Sequence, residues 1–388
     1  MRTERFSRLD AGRVPSPCFV VDEVAIEDNL RVLNRVQRES GAKVLLALKA
    51  FAMFGLAPLV ARYLSGTCAS GLHEARLGRE EFGGEVHTFS AAYSEPDLRQ
   101  ILEISDHVVF NSASQWARYR RLALAAVARR PGLRLGLRVN PEHSEGEVPL
   151  YDPCAPFSRL GIPRARFPER DLDGISGLHF HTLCEQNFAP LERTVAAFEA
   201  KFGEFLPRME WINFGGGHHI TRPDYEVDAL IALLRDWRAR HDVELVLEPG
   251  EAIAYHAGVL VAEVLDLAWN GMSLAILDTS ATCHMPDVIE MPYRPRILGG
   301  GAAGEYPHTY RLGGLTCLAG DVIGDFSFPE PLRVGQRLVF EDMALYTMVK
   351  TTTFNGTRLP GIAIWNSESD ALRVVKSFGY EDFRSRLS

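Results

Sequence analysis

The sequence lacks the features that mark nucleic-acid-binding, exported or fibrous proteins. Its 388 residues hold 42 Lys and Arg against 50 Asp and Glu, a formal net charge of −8, so a large basic face is excluded. The first residues, MRTERF, lack the apolar segment of a signal peptide. Repeats and low-complexity tracts are absent too. We therefore expect a globular cytoplasmic protein that does not bind nucleic acid.

Cysteine is scarce, and its six positions follow no CxxC pattern or regular spacing. A chain of this length builds its core without disulfides, so we expect reduced thiols. The run GLHFH places His179 and His181 on the same side of a strand. Together with Cys184, Glu185 and the pair at 218–219 these residues are compatible with zinc, but the order of a zinc motif is missing. We expect no metal site.

Long uninterrupted hydrophobic runs are also missing. The longest mainly apolar segment is residues 44–64, VLLALKAFAMFGLAPLVARYL, which is about as long as a membrane-spanning helix. Lys49 lies within it, and Gly55 and Pro58 interrupt it. Because a charge deep in lipid is costly, this segment predicts a buried strand, a short loop and a packed helix, and no membrane contact.

Short apolar runs alternate with amphipathic stretches through the first two thirds of the chain. This pattern predicts seven or eight parallel strands buried on both faces and separated by helices. The fold class is therefore α/β, a (β/α)8 barrel over residues 23–257, with an open doubly wound sheet as the alternative. The predicted strands include 44–48, 86–89, 108–110, 133–139, 177–181, 211–214 and 245–247.

The pattern changes after about residue 257. Strand-like runs at 258–268, 273–277, 309–312, 337–341 and 361–365 are joined by Gly- and Pro-rich connections without long helices. Residues 16–21, before the first predicted helix, are strand-like as well. We therefore predict a second, all-β domain made of residues 1–22 and 258–388.

Lys49 is the most distinctive residue for chemistry. It follows an apolar strand, at the end of a barrel strand where catalytic groups of this fold gather. Burial lowers a lysine pKa, and the neutral amine condenses with aldehydes. A lysine that only caps the strand is the alternative interpretation.

Two later strands end in glycine and a carboxylate. In WINFGGGH (211–218) three glycines follow an apolar strand, where bare backbone can approach a phosphate, although such turns are often only structural. In LVLEPG (245–250), Glu248 ends the strand and would be costly to bury unpaired. A protonated pyridine nitrogen is a natural partner for Glu248, with an ion pair to a barrel arginine such as Arg138 as the alternative.

A glycine-flanked loop in the second domain, GGLTCLAGD (313–321), carries a thiol and a carboxylate. Cys317 and Asp321 in this setting are compatible with acid–base chemistry. A free cysteine is more often a small buried hydrophobe, so that alternative stays open here.

Over nearly its whole length the order of these motifs resembles the fold type III pyridoxal-phosphate decarboxylases, which include ornithine, arginine and diaminopimelate decarboxylases. Within that family the chain is most similar to the carboxynorspermidine (carboxyspermidine) decarboxylase branch. The resemblance implies that pyridoxal 5'-phosphate is attached to Lys49 and that CASGLHE (68–74) lies near it. It also implies a set of residues that contact the cofactor: Ser70, His181 on the ring, Glu248 on the ring nitrogen, and Gly215, Gly216, Gly217, Gly250 and Tyr346 around the phosphate.

The same resemblance implies a homodimer with shared active sites. The loop GLTC is similar to one that each subunit lends to its partner, with Cys317 as the proton donor after carbon dioxide leaves. The chain departs from the common pattern twice. Glu251 replaces an arginine in EPGR, and Leu318 replaces an acidic residue after the cysteine. Both changes fit the carboxynorspermidine branch.

A substrate of that branch has a tail of amines, which requires carboxylates in the site. Asp287 is the first candidate for binding the substrate amines. The further candidates are Glu185, Glu251, Asp321 and, near the cofactor, Glu248. The expected product is norspermidine or spermidine. Diaminopimelate decarboxylase is the alternative activity, and a non-catalytic regulator of polyamine metabolism on the same scaffold is the alternative from another class.

Overall fold

The computed structural model describes residues 5–146 and 148–388. The chain divides into two compact units, Asp28–Ile253 and Met1–Glu27 with Ala254–Ser388. The strands are β1 (Cys18–Asp22), β2 (Lys43–Ala47), β3 (Gly66–Ala69), β4 (Glu85–Phe89), β5 (His107–Phe110), β6 (Arg134–Asn140), β7 (Ile162–Pro163), β8 (Gly177–His179), β9 (Trp211–Asn213), β10 (Glu244–Leu247), β11 (Gly258–Trp269), β12 (Ser273–Leu277), β13 (Gly301–Ala302), β14 (His308–Gly313), β15 (Val322–Phe328), β16 (Arg337–Glu341), β17 (Gly361–Trp365) and β18 (Leu372–Lys376).

The α-helices are α1 (Glu23–Ser40), α2 (Ala57–Ala61), α3 (Leu72–Leu77), α4 (Glu95–Ile104), α5 (Ala113–Arg129), α6 (Phe188–Phe202), α7 (Val227–His241), α8 (Glu251–Ala254), α9 (Ala281–His284), α10 (Asp287–Glu290) and α11 (Tyr380–Arg384). A π-helical turn spans Gly78–Phe82. The 3₁₀ turns are Arg5–Arg8, Ala11–Arg13, Phe54–Leu56, Pro149–Tyr151, Arg164–Arg166, Gly203–Arg208 and Phe354–Gly356.

The unit of residues 28–253 is a closed parallel barrel. Its strands follow one another in the order β2, β3, β4, β5, β6, β8, β9 and β10, and β10 returns to pair with β2. The pairing of β5 with β6 completes the ring. The α/β barrel prediction is confirmed, and the open doubly wound alternative is wrong because such a sheet keeps two free edges.

The helices around the barrel form for local reasons. In α5, Ser112 accepts a hydrogen bond from the backbone of Gln115, which caps the first turn. Helical spacing then brings the buried Trp116, Tyr119 and Ala123 onto one face. The segment 44–64 forms β2, a 3₁₀ turn and α2, as predicted. Within the described residues, every helix is too short or too polar to cross a membrane.

The second unit is built on a nine-stranded mixed sheet in the order β13-β15-β14-β12-β11-β1-β17-β18, with β16 added on β11. The N-terminal β1 lies between β11, to which it is antiparallel, and β17, to which it is parallel. Phe19, Leu260, Phe326 and Phe340 are buried in its core. A separate β domain that takes a strand from the N-terminus is therefore confirmed. Its exact limits, residues 1–22 and 258–388, stay a prediction.

Candidate active site

The barrel brings together most of the residues that the sequence singled out. Five of them lie within two residues of the end of a barrel strand (β2, β3, β8, β9 and β10): Lys49, Ser70, His181, Gly215 and Glu248. Since all these strands are parallel, their carboxyl ends open at one mouth of the barrel. These residues therefore lie at the end of the barrel where active sites of this fold are found.

Lys49 and His181 are in direct contact. Nζ of Lys49 lies 3.3 Å from Nε2 of His181, and both residues are half-buried. Burial, and then the positive charges of Lys49 and Arg138, lower the pKa of His181 well below its usual value. His181 is therefore neutral at physiological pH, and its ring is a flat surface without charge beside the lysine amine.

The His181 segment is held by two neighbours. Nδ1 of His181 lies 3.1 Å from the amide nitrogen of Gly216, and Arg138 Nη2 donates to the His181 carbonyl at 2.9 Å. Arg138 is buried with its guanidinium 4.5 Å from the ring centre of Phe89. Burial lowers the pKa of Arg138 to about 10, which still leaves it charged at neutral pH.

Glu248 presents a carboxylate inside the barrel mouth. Burial raises the pKa of this carboxyl, but hydrogen bonding and charge from His179, with the Asn213 amide, outweigh it and lower the pKa to about 2. Asn213 Nδ2 donates to Oε1 at 2.7 Å, and His179 Nε2 lies 3.5 Å from Oε2. Glu248 is thus ionised at neutral pH and can pair with a cationic ring nitrogen.

The glycine run after β9 is required by close packing. Gly215 and Gly217 have positive φ angles of 69° and 87°. A Cβ on Gly216 would lie 2.1 Å from the Glu248 carbonyl oxygen, and one on Gly217 would lie 1.9 Å from that of Leu183. Within the protein, the N–H of Gly215 donates to Asn213 Oδ1 at 2.7 Å. The phosphate-binding role of this run stays a prediction.

The loops after β10 and β3 complete the rim. A Cβ on Gly250 would lie 2.5 Å from that of Ala50, so the segment after Glu248 packs against the residue that follows Lys49. Ser70 is exposed, and its amide donates to Glu74 Oε2 at 2.6 Å. Glu74 therefore fixes the turn that presents Ser70.

Two of the predicted substrate carboxylates lie in the barrel unit. Glu251 contacts Nε2 of His219, and both side chains are largely buried, so this carboxylate already has a partner. Glu185 is exposed and has a positive φ of 54°. Burial, and then the nearby charges of Glu185 and Glu251, raise the pKa of Cys184 to about 11, which makes this thiol a poor nucleophile.

Four predicted residues belong to the other unit. Cys317 is exposed, whereas the carboxylate of Asp321 is buried and accepts hydrogen bonds from Ser280 and Thr316. Tyr346 is half-buried with φ of 44°, which is unusual for a bulky residue. Asp287 shares the ammonium group of Lys350 with Glu290. Their roles toward cofactor and substrate stay predictions.

One buried cluster in the barrel has the composition of a metal site. Glu85, His87 and His107 place one potential ligand atom each within 4.8 Å of one another. The two imidazoles stack with centroids 3.8 Å apart and planes inclined by 10°. Lone pairs in nearly parallel planes cannot both point at one ion at about 2 Å. In addition, Lys43 forms an ion pair with Glu85, so the cluster is a buried polar network.

Sequence reasoning missed how several residues support the site. Asn213, which was not singled out, holds Glu248. Glu74, predicted only to lie near the cofactor, holds the Ser70 turn, and Arg138, considered only as an ion-pair partner of Glu248, holds the His181 carbonyl. For Asn213 there was a signal: strand alternation puts a residue two positions before Gly215 on the same inward face.

The arrangement suits pyridoxal phosphate on structural grounds alone. It combines an amine for the aldehyde at Lys49, an uncharged ring at His181 and an ionised carboxylate at Glu248. The glycine run after β9 lies against the Glu248 and Leu183 carbonyls, where no side chain fits. An aldehyde, an aromatic ring and a pyridinium nitrogen require the first three groups.

Comparison with known proteins also indicates a pyridoxal-phosphate site. The family model described as "Pyridoxal-dependent decarboxylase, C-terminal sheet domain" matches residues 18–344. The carboxyaminopropylagmatine decarboxylase of Synechocystis is 45% identical over 376 residues, 96% of each chain. The carboxynorspermidine/carboxyspermidine decarboxylase of Campylobacter jejuni is 41% identical over 385 residues, covering 96% of this chain and 99% of that one.

A solved structure extends the match to three dimensions. The crystal structure of Campylobacter jejuni carboxynorspermidine decarboxylase complexed with norspermidine superposes with a TM-score of 0.88 at 40% identity, covering 96% of this chain and 100% of that one. Diaminopimelate decarboxylases are more distant, with the Escherichia coli K12 protein 25% identical over 63% of this chain. The similarity to carboxynorspermidine decarboxylases that the motifs indicated is thereby confirmed. The chain belongs to the pyridoxal-dependent decarboxylases, and its cofactor is pyridoxal phosphate.

Proposed function

We propose that this protein removes the α-carboxylate from an amino acid with a long cationic tail, either carboxynorspermidine or carboxyspermidine. The observation that carries the proposal is the full-length match at 40% identity to a decarboxylase of known structure with norspermidine bound. A second candidate substrate is carboxyaminopropylagmatine, because the Synechocystis relative that acts on it is 45% identical. The tails differ in ending with an amine or a guanidinium group.

The residues at the barrel mouth have separable roles in this reaction. Pyridoxal phosphate, when bound, supplies an aldehyde and an electron-withdrawing ring that stabilises the electron pair left by departing carbon dioxide. Lys49 Nζ would hold the cofactor through its aldehyde. His181, which is uncharged, would pack on the ring, and the ionised Glu248 would pair with the ring nitrogen and favour its protonated form. Further cofactor contacts are proposed around Lys49, His181 and Glu248. They are Gly215, Gly216, Gly217, Gly250, Ser70 and Tyr346.

The cationic tail of the substrate requires carboxylates. Asp287 remains our first choice because a cation, the ammonium group of Lys350, is its partner in the structure, and a substrate amine would replace that group. Glu290 shares this ammonium and is a natural second ligand for an amine. Glu185 is a further candidate since it is exposed, whereas Glu251 and Asp321 already bind His219 and Ser280.

We also propose that two copies form a dimer with shared active sites and that the protein works in the cytoplasm. Around the exposed Cys317, the side chains of Leu315, Leu318 and Phe354 are 44%, 45% and 45% exposed. Apolar groups clustered beside an exposed thiol favour an interface over a solvent-facing surface. In the proposed dimer, Cys317 protonates the substrate carbon in the partner's site. The described cysteines are free thiols, in agreement with a reducing compartment.

The test is carbon dioxide release by the purified protein with added pyridoxal phosphate. Carboxynorspermidine, carboxyspermidine, carboxyaminopropylagmatine and meso-diaminopimelate are compared in parallel. Turnover confined to one or more of the first three substrates supports the proposal, and their relative rates show which substrate tail the site prefers. A preference for meso-diaminopimelate would instead select the alternative decarboxylase.

The same assay separates an enzyme from a regulator. A non-catalytic regulator on this scaffold would bind the cofactor yet release carbon dioxide from none of the four substrates. Lys49→Ala serves as the matched control, because it removes the amine that holds the cofactor while the barrel strands stay intact. Full turnover by Lys49→Ala would contradict the mechanism.

A further inference from the structure

We propose that Asn355 is a positioning residue that holds Cys317 in place for proton transfer. The inference rests on the proposed function, in which Cys317 is the proton donor, and extends it to a residue that the motifs did not single out. It starts from one contact: the backbone N–H of Cys317 donates to Asn355 Oδ1 at 2.9 Å.

Asn355 has a backbone conformation that few residue types adopt readily. It lies in the 3₁₀ turn Phe354–Gly356 with φ of 57° and ψ of 16°, the left-handed region that asparagine tolerates better than most residues. In this conformation its side chain reaches a residue 38 positions away in sequence. The turn itself is tied down, since the carbonyl of Phe354 accepts from Cys283 Sγ at 3.7 Å.

The other side of the same loop is held by Asp321. Its buried carboxylate accepts hydrogen bonds from Thr316 Oγ1 at 2.6 Å and from Ser280 Oγ at 2.9 Å. The amides of Thr316 and Thr282 lie 3.3 Å from its oxygens. A Cβ on Gly314 would lie 2.3 Å from Oδ2, so the loop passes directly over this carboxylate.

Cys317 is therefore anchored through its own backbone and through that of its neighbour Thr316. Asp321 fixes the residue before the cysteine, and Asn355 fixes the amide of the cysteine itself. Without these two acceptors the amides of Thr316 and Cys317 would be left to water, and the thiol would be held less firmly.

Position matters because the protonation step is short-range. The S–H bond of Cys317 breaks and a C–H bond forms at the carbon that has lost carbon dioxide, using the electron pair of the former C–C bond. The thiolate then takes a proton from solvent. A displacement of about 1 Å in such a step costs on the order of 10²-fold in rate. Substrate binding does not depend on this geometry, so kcat is the sensitive parameter.

The experiment uses three variants of the full-length protein. Asn355→Gly keeps the left-handed backbone and deletes only the amide. Asn355→Asp keeps an oxygen acceptor in the same place. Asp370→Gly is the matched control, because Asp370 also has a positive φ of 56° and an acceptor side chain but binds Arg13 and Trp365.

Two readouts are measured. The first is hydrogen exchange at the Cys317 amide in the cofactor-free protein, where Asn355→Gly is expected to accelerate exchange about tenfold or more. The second is steady-state turnover, where Asn355→Gly is expected to lower kcat about 10- to 100-fold with KM within threefold. Asn355→Asp and Asp370→Gly are expected to stay within threefold of the wild type in both.

Unchanged exchange at Cys317 in Asn355→Gly overturns the proposal, as does an Asn355→Asp variant that fails as severely as the glycine variant. The failure of the proposed function is recognised separately. If Cys317→Ala keeps full turnover, Cys317 is not the proton donor, and the role of Asn355 in proton transfer fails with it. Hydrogen exchange then still reports whether Asn355 anchors the loop.

Discussion

Replacement of Gly216 by alanine tests how the glycine run and Glu248 are coupled. The added Cβ would lie 2.1 Å from the carbonyl oxygen of Glu248, whereas ordinary contacts begin at 3.4 Å, so one segment must move by about 1.3 Å. The neighbouring hydrogen bond from the Glu248 amide to the Gly215 carbonyl, 2.7 Å long, resists that movement. We expect a loss of about 1–3 kcal/mol in the free energy of unfolding, the usual cost of overpacking.

Activity should respond more strongly than stability. A shift of about 1 Å in a group that positions a reacting centre costs on the order of 10²-fold, and we expect kcat/KM to fall by that amount. The assays are carbon dioxide release, cofactor titration and urea denaturation. Gly132→Ala is the control, because a Cβ at Gly132 meets no atom within 4 Å. If Gly216→Ala matches this control in all three assays, the packing argument is refuted.

Three further predictions concern charged groups. Burial would raise the pKa of Glu85, but His87 and Lys43 lower it to about 2. The ionised carboxylate therefore stabilises the fold above about pH 4.5, and this contribution disappears as the pH falls towards 2. Glu85→Gln should therefore lose on the order of 1–3 kcal/mol at neutral pH in urea denaturation, with the difference shrinking in acid; a gap independent of pH would contradict the pairing. Glu248→Gln should retain the cofactor but lower kcat about 10- to 100-fold, because a charged hydrogen bond is lost, and unchanged kcat would exclude its electrostatic role. Asp287→Asn should raise KM for the cationic substrate about tenfold with kcat within threefold, and an unaltered KM would place the tail elsewhere.

Much of the fold was predictable because the barrel strands are apolar runs between amphipathic helices. The hydrophobic pattern alone did not predict the strand at Gly66–Ala69, GTCA, because four small and polar residues carry no hydrophobic signal; only the family resemblance indicated a strand there. The strand at Val322–Phe328 was missed as well, because glycine and aspartate interrupt its alternation. In both cases pairing with neighbouring strands, rather than local preference, determines the conformation.

For the site, strand ends could be identified but contacts between them could not. Lys49 and His181 were both singled out, yet their 3.3 Å contact depends on closure of the barrel over 132 residues. The same holds for Asn213 with Glu248, and for Asn355 with Cys317 in the other unit. Chemistry-bearing residues are visible in sequence when their type is unusual for their position, whereas an asparagine that supports them is not.

The place of β1 in its sheet has a consequence for biosynthesis. During translation the ribosome releases β1 long before β11 and β17, its two neighbours, exist. Every strand of the barrel, by contrast, has left the ribosome once residue 247 is free, well before β17 is made. Nascent chains can thus close the barrel while the apolar strand β1, CFVVD, is not yet paired with β11 and β17. Premature termination anywhere before residue 361 leaves that strand with an open edge, the kind of surface that chaperones bind and that seeds aggregation.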